Sequence, residues 1–552
     1  MVRNVVSLRD RAEHALDAFG LRFGFLSWVD YWHKVGQRDN IRGSKNSKQV
    51  QSNISRRSFC KLAAAGSVAL GVTRSLRAQP AKLPRTPNLL IFLADQQRAD
   101  TLACYGGTRV HAINLNKLAS QSFVFDQAYV TQPICAASRS SLLTGTWPHA
   151  NGCKHNHSAL PPQFRCLPEL LNDSDYRCGY VGKWHLGDET FAQHGFSEWV
   201  SILDVYRDTV SPGHDRNALS DYAKFLLEKG LKPDKKKKGI FSQNFISELP
   251  LELSRPKFVE GKACEFLERH SREPFLLVVS FYEPHPPYNG PLNNEHPIEE
   301  IELDSTAAQP LGPDTPLRYR LRAQNAARVF GSSPDKYREI KQRYLGLVTE
   351  VDRSIGVVLA KLDNLGLGDT TVVAHTSDHG EMMGAHGLFG KRVMFQQSAR
   401  VPYLVRMPGQ RQISGVATPV SHIDFVPTML DLLGKPAHEQ CTGKSLAPLL
   451  RGENLPAQPV FLQWSPEEKA HKFKSKPEEV RRALSESTRG IVTPDGWKLC
   501  LRDNDKNELY NLQKDRFEEH NLFYQGGDRN VIDQLSATIH EWQERNGDVV
   551  KV

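Results

Sequence analysis

From Pro87 onward, short apolar runs alternate with amphipathic stretches, the pattern of strands and helices taking turns in an α/β fold. The first run, residues 88–94 (NLLIFLA), is apolar without a break, as suits a strand buried on both faces. Further apolar runs follow at 176–182, 275–281 and 370–377. Helical spacing shows near 258–269 and again over 340–365, where Tyr344, Val348, Val351, Ile355, Leu359 and Leu362 share one face. Another strand is expected at 400–406 and a short helix at 424–433. Beyond the loop 452–456 the pattern shifts to short strands with turns, at 460–464, 490–493, 497–501 and 508–512. A closing helix carries Ile532, Leu535, Ile539 and Trp542 on one side. Residues 200–270 are the least readable part. The division expected is therefore a leader over 1–79, a large α/β domain over 80–452 and a smaller α+β domain over 453–552.

Length and composition fit a globular chain of more than one domain, and charge changes the picture only at the N-terminus. Residues 1–79 hold 14 Lys+Arg against 5 Asp+Glu, which accounts for the whole net charge of +9. The neutral remainder argues against a nucleic-acid partner. Within the leader, Ser55-Arg56-Arg57-Ser58-Phe59-Cys60-Lys61 precedes a weakly apolar run from Leu62 to Val72, and Leu76-Arg77-Ala78 offers a cleavage site. This resembles a twin-arginine export signal, occupying about residues 50–79. The run is too short to span a bilayer. The protein is accordingly expected outside the cytoplasm, periplasmic or extracellular, with the twin-arginine machinery as a partner and no stable membrane insertion. Translation is expected to start at Val50, since the next methionine after Met1 is Met382; N-terminal sequencing of the precursor would then find residues 1–49 absent. Apart from Cys60 and Cys135, seven scattered cysteines show no zinc-type spacing, and an oxidising compartment would allow a disulfide or two with pairing open.

Each of the four apolar runs ends in side chains that carry chemistry. Asp95-Gln96 follows the first, at the carboxyl end of a central strand, where open parallel sheets bind ligands; taken alone, Asp95 serves equally as a helix cap. Lys183-Trp184-His185 follows the second, a cation and a titratable ring on one glycine-bounded turn. His285 follows the third between Pro284 and Pro286, which fix the backbone of a side chain that must be aimed. Asp378-His379-Gly380-Glu381 follows the fourth, with His386 and Lys391 beyond it. Between the first two runs, residues 133–145 (PICAASRSSLLTG) read as a helix start closed by a glycine. Cys135 would sit at the positive end of that helix, and Arg139, one turn on, could reach an anion held there. The Lys235-Lys236-Lys237-Lys238 run reads as a solvated loop, with contact to a polyanion as the alternative.

Cys135-Ala136-Ala137-Ser138-Arg139 followed by Leu143-Thr144-Gly145 resembles the signature of the type I, formylglycine-dependent sulfatases of the alkaline phosphatase superfamily; the commoner form has proline where Ala137 stands. Gly182-Lys183-Trp184-His185-Leu186-Gly187, His285 in its proline context, and residues 376–381 with Lys391 resemble further elements of that family. They come in the family's order, over roughly residues 87–523. The resemblance implies an α/β fold with a large mixed, mostly parallel sheet sandwiched by helices, plus a small C-terminal α+β domain with a short antiparallel sheet and one helix. It implies an exported sulfatase that hydrolyses a sulfate monoester, on a sulfated small molecule or polysaccharide, after a maturation enzyme converts Cys135 to formylglycine. Arg139, Lys183 and Lys391 would neutralise the sulfate, His285 would protonate the departing oxygen, and His185 would deprotonate the hydrate so that sulfate leaves. Asp95, Gln96, Asp378 and His379 would hold one divalent metal. Their oxygens suit Ca²⁺, and the imidazole leaves Mn²⁺ as the alternative. Two other readings stay open: a phosphonate monoester or phosphodiester hydrolase of the same superfamily, and a non-catalytic carbohydrate-binding relative in which position 135 remains a thiol.

Overall fold

The four apolar runs become four neighbouring parallel strands. The computed structural model describes residues 86–107, 109–307, 309–466, 475–526 and 528–552, so the export reading of residues 1–79 lies outside the described residues. The strands are β1 (Asn88–Ala94), β2 (Phe123–Phe125), β3 (Ala128–Tyr129), β4 (Arg177–Gly182), β5 (Glu198–Ser201), β6 (Phe275–Ser280), β7 (Thr371–Ser377), β8 (Arg400–Val401), β9 (Tyr403–Arg406), β10 (Ser414–Val416) and β11 (Val420–Ser421). They are followed by β12 (Val460–Trp464), β13 (Thr488–Val492), β14 (Trp497–Arg502) and β15 (Glu508–Asn511). The large sheet has the order β10-β2-β9-β7-β1-β6-β4-β5, and only β9 runs against the rest. The strand expected at 400–406 is split by Pro402, which has no N–H to give a ladder. Its first half, β8, joins β3 and β11 in a small sheet, and its second half, β9, enters the large one.

Six helices matter to the site: α1 (Ile113–Ala119), α2 (Cys135–Thr144), α3 (Arg255–Arg269), α4 (Pro334–Asn364), α5 (Phe425–Leu432) and α6 (Arg529–Arg545). Alternation along β1 explains the layering. Leu89, Ile91 and Leu93 face one layer with Leu142 and Leu143 of α2 and Val426, Met429 and Leu430 of α5. Leu90 and Phe92 face the other, with Phe266 and Leu267 of α3, Leu115 and Leu118 of α1, and Val351, Ile355 and Val358 of α4. The sheet is thus sandwiched by helices, and the long helix expected at 340–365 starts one and a half turns earlier, capped by Ser333.

Strands β12 to β15 form a separate antiparallel sheet. One face is covered by Ile532, Leu535 and Ile539 of α6. The other presses Leu462, Trp464, Val492 and Cys500 against Ile134 and Ala137, at the start of α2. The poorly patterned stretch 200–270 holds α3, two shorter helices and several one-turn 3₁₀ segments, too short to set a period. All eight described cysteines are free thiols, so the disulfides allowed by the sequence are not found among the described residues. No described helix is long and apolar enough to cross a membrane.

Candidate active site

Strand register brings the chemistry together. Ala94 pairs with Ser377, so Asp95 and Asp378, the next residues along, emerge side by side from β1 and β7. On the other flank of β1, Leu93 pairs with Ser280 of β6 and Ser280 with Gly182 of β4, which brings Lys183 to the same edge. Gly182 is required there: its φ is +123° and a Cβ would lie 1.8 Å from the Ser280 carbonyl oxygen. Helix α2 begins at Cys135 after an extended Ile134 and ends at Gly145 in the left-handed conformation, as its sequence predicts. Its N-terminus, with no side-chain cap, points Cys135 into the cluster.

Apart from the half-buried His285, the side chains of this centre are buried, and its electrostatics follow from that. Cys135 Sγ lies 3.1 Å from His379 Nε2 and 4.0 Å from Asp95 Oδ1. Burial raises the thiol's pKa, but Lys183, Lys391 and His379 together pull it well below the ordinary value. Lys183 Nζ donates to Asp95 Oδ2. Burial and the Cys135 charge push the Asp95 carboxyl up, yet Lys183, His285 and Lys391 hold it below the usual carboxylate range. Asp378 is shifted the other way, raised by burial and by the neighbouring Asp95. His185 and His285 both face Cys135, and burial brings each down to about 4, helped by Lys183 for His185 and by Lys391 for His285. Their tautomers are set by carbonyls, which leave one bare nitrogen on each ring. His185 donates from Nε2 to the Asn156 oxygen at 3.1 Å, and His285 from Nδ1 to the Pro286 oxygen at 2.8 Å.

Gln96 and Arg139 have these partners in the folded protein. The Gln96 carboxamide is turned away from the carboxylates: its oxygen accepts from Lys391 Nζ at 2.5 Å and its nitrogen donates to Tyr288 and Glu381. Gln96 meets Asp378 only through its backbone N–H, at 3.1 Å. Its backbone is left-handed, φ +71°. Arg139 is bonded to the acids Asp95 and Asp378. Its Nε donates to Asp378 Oδ2 at 2.7 Å, one terminal nitrogen to Ser280 Oγ and the Lys183 carbonyl oxygen at 2.9 Å each, and the other to Asp95 at 3.4 Å. It anchors the two acidic residues from beneath. His386 points elsewhere, stacked on Phe395 at 4.0 Å and hydrogen-bonded to the Phe517 carbonyl.

Sequence reasoning missed Tyr206, whose ring stacks on His185 at 3.9 Å, and Ser280 and Asn156, which hold Arg139 and His185. Ser280 ends an expected strand and could have been noticed; Tyr206 lies in the unpatterned stretch and gave no signal.

One donor atom each from Asp95, Cys135, Asp378 and His379 lies within 4.8 Å of the others. His379 donates Nδ1–H to the Gly380 carbonyl at 3.0 Å, which frees Nε2 towards the cluster. A histidine that binds a metal donates its other ring N–H to a carbonyl in just this way, and with two carboxylates the donor set fits a divalent metal.

Comparison with known proteins agrees with this geometry. The Sulfatase family model matches residues 87–435, and a model of the N-sulphoglucosamine sulphohydrolase C-terminal region matches 384–545. An N-acetylglucosamine-6-O-sulfatase of Bacteroides thetaiotaomicron is 26% identical, with 84% of this chain and 88% of the relative covered. Among solved structures, the phosphonate monoester hydrolase of Agrobacterium radiobacter superposes with a TM-score of 0.67 at 22% identity, over 83% of this chain and 96% of the other. A 2-O GAG sulfatase superposes with a TM-score of 0.63 at 22% identity, over 84% and 93%. The architecture is alkaline-phosphatase-like. With its family model spanning well over half of the sequence, the chain belongs to the sulfatase family and is a sulfuric ester hydrolase.

Proposed function

We propose that the protein hydrolyses a sulfate monoester on a carbohydrate at position 135. The observation that carries this is Cys135 itself: at the N-terminus of α2, fully buried, caged by Asp95, Asp378 and His379 and faced by Lys183, His185 and His285. Oxidation of Cys135 to formylglycine by a maturation enzyme would supply a hydrated aldehyde; one hydroxyl attacks sulfur as the S–O bond to the sugar breaks, and in a second step loss of the proton from the other hydroxyl re-forms the aldehyde and expels sulfate. A divalent metal held by Asp95, Asp378 and His379, with Ca²⁺ proposed and Mn²⁺ the alternative, would supply Lewis-acid stabilisation. Lys183 and Lys391 compensate the charge of the sulfate oxygens, as preorganised cations in a dry site. Arg139 holds both carboxylates in place. The bare nitrogen of His185 is placed to take the hydrate proton, and neutrality at pH 7 lets it act as a base. His285 starts unprotonated as well; a bound sulfate-ester anion raises its pKa, so that its free Nε2 can carry a proton to the departing oxygen. The carbohydrate assignment is supported by the sugar sulfatase relative, and the Arg56-Arg57 leader supports export to the periplasm or beyond.

Mass spectrometry of the peptide containing position 135 and parallel assays of para-nitrophenyl sulfate, a sulfated monosaccharide, a phenyl phosphonate monoester and a phosphodiester test the reading. We expect formylglycine, preferential sulfate release and its loss in Cys135→Ala. A wild-type enzyme that turns over only phosphonate or diester, or one that carries an unmodified thiol and hydrolyses nothing, overturns it.

A further inference from the structure

Four residues of the turn that carries Lys183 and His185 are left-handed: Gly182, His185, Gly187 and Asp188 have φ of +123°, +64°, +100° and +39°. For histidine and aspartate that conformation is uncommon and persists only where the surroundings hold it. A buried turn of this kind forms no ladder of its own, so its N–H groups need acceptors from elsewhere. Lys183 is well supplied. Its N–H donates to the Ser280 carbonyl at 3.0 Å, and its own carbonyl accepts from the Tyr180 hydroxyl at 2.6 Å, the Ser280 hydroxyl at 2.8 Å and Arg139 at 2.9 Å. The next two N–H groups share one partner among the described residues. The Glu189 carboxylate accepts from Trp184 N–H on Oε1 at 3.0 Å and from His185 N–H on Oε2 at 2.8 Å.

Glu189 is buried and forms no ion pair among the described residues. Burial pushes its carboxyl pKa up, and the two N–H bonds, with Lys183 and Arg139 acting at longer range, oppose that push. Its carbonyl accepts from Trp199 Nε1 at 3.1 Å, which ties the residue to β5 at the edge of the sheet. A carboxylate taken out of water without a bonded counter-ion is costly, and here both of its oxygens serve the backbone of one turn. The His185 ring is already fixed on two sides, through Nε2 on the Asn156 carbonyl and through its face on Tyr206, while its buried Nδ1 has no partner. The backbone from which that ring hangs is held by the bond to Glu189. Lys183, by contrast, is anchored through Ser280 and Arg139, so a loosened Glu189 would disturb His185 first.

We propose that Glu189 is a positioning residue for sulfate release: its carboxylate clamps the left-handed backbone of His185 so that the bare Nδ1 stays within reach of the hydrate at position 135. In that step Nδ1 takes the proton of the free hydroxyl, the O–H electron pair forms the C=O bond, and the C–O bond to sulfate breaks, sulfate leaving with its electrons. The earlier step, attack on sulfur, draws on Lys183 and does not need the clamp. The proposal rests on the reading of position 135 as a formylglycine hydrate with His185 as its base, and adds the residue that keeps this base in place.

Glu189→Gln keeps the size of the side chain but offers one acceptor oxygen to two N–H groups. Stopped-flow assays with para-nitrophenyl sulfate, at matched formylglycine content, should show the first equivalent of para-nitrophenol released as fast as in the wild type. Release of sulfate should then slow about a hundredfold, the scale on which a misplacement of about 1 Å slows an enzyme. The variant would therefore show a burst, an unchanged kcat/KM, a lower kcat and a sulfated position-135 peptide in the mass spectrum. Glu189→Asp, with the same charge on a shorter arm, should show the same split to a smaller degree, and it is read alone where Glu189→Gln does not fold. Hydrogen exchange should report lost protection at the Trp184 and His185 amides while the amides of β4 keep theirs. An equal fall in burst and steady state, full release in Glu189→Asp, or unchanged release in a folded Glu189→Gln overturns the positioning role. A wild type that hydrolyses no sulfate ester, while exchange still reports the two clamped amides, sinks the reading of position 135 and the release role with it.

Discussion

Arg139 shows how one side chain can hold two acids of a site in place. It is fully buried, and its donors serve two carboxylates, a serine hydroxyl and a backbone carbonyl. Arg139→Ala would leave Asp95 and Asp378 less compensated at the centre, and removing one partner of a buried ion pair costs about 3–5 kcal/mol. Urea unfolding of the variant should register a loss of that size, and a change below about 1 kcal/mol would refute the anchoring role. The sequence placed Arg139 one turn from Cys135 and so identified the right residue. It could not show that the guanidinium is bonded to the acids that follow β1 and β7. Gln96 poses the same question, because an amide reads alike whether its oxygen meets a metal or, as here, Lys391.

At the scale of elements, the carboxyl ends of β7, β1, β6 and β4 were legible because a strand buried on both faces must be apolar throughout. Where such a run stops, the first polar residue has nowhere to go but the sheet's edge. Two-residue strands such as β3, β8 and β11 have no period to read, and the reversal at Tyr206 depends on a left-handed residue that no pattern announces. The join between β4 and Lys183 yields a sharp expectation. Gly182→Ala would put a methyl group into the Ser280 carbonyl in a backbone conformation that alanine resists. We expect it to cost about 1–3 kcal/mol and to displace Lys183, so that kcat falls more steeply than the unfolding midpoint. Unchanged turnover would show that β4 has slack at its end.

At the scale of the whole molecule, two core histidines are held neutral. His375 in β7 and His422 beneath it are fully buried, and burial alone takes both down to about 3. Below about pH 6.5 the unfolded chain takes up protons at these positions and the native protein does not, so stability falls with pH until about pH 3. The slope approaches about 1.4 kcal/mol per pH unit for each histidine. His375 has no hydrogen-bond partner on either ring nitrogen, so His375→Leu should remove its share of that acid sensitivity. Urea unfolding at pH 7 and pH 5 would show it; a difference between variant and wild type that does not move with pH would contradict it. The C-terminal sheet belongs to the same unit, since Gln463 bonds to Thr131 and Gln132 just before α2. Its existence as short strands under one helix was readable from the turn spacing, but its contact with the start of α2 was not, because pairing between distant apolar faces leaves no mark on either sequence.

That contact also imposes an order of events. With position 135 shut in by the main sheet below and β12 to β14 packed against the start of its helix, no enzyme can handle its sulfur once the chain has closed. Any oxidation there must happen on the nascent or still open polypeptide. Purified protein that has folded with its thiol intact should resist conversion by a maturation enzyme that readily modifies a synthetic peptide of residues 130–150, and efficient conversion of the folded form would show that this wall can swing aside.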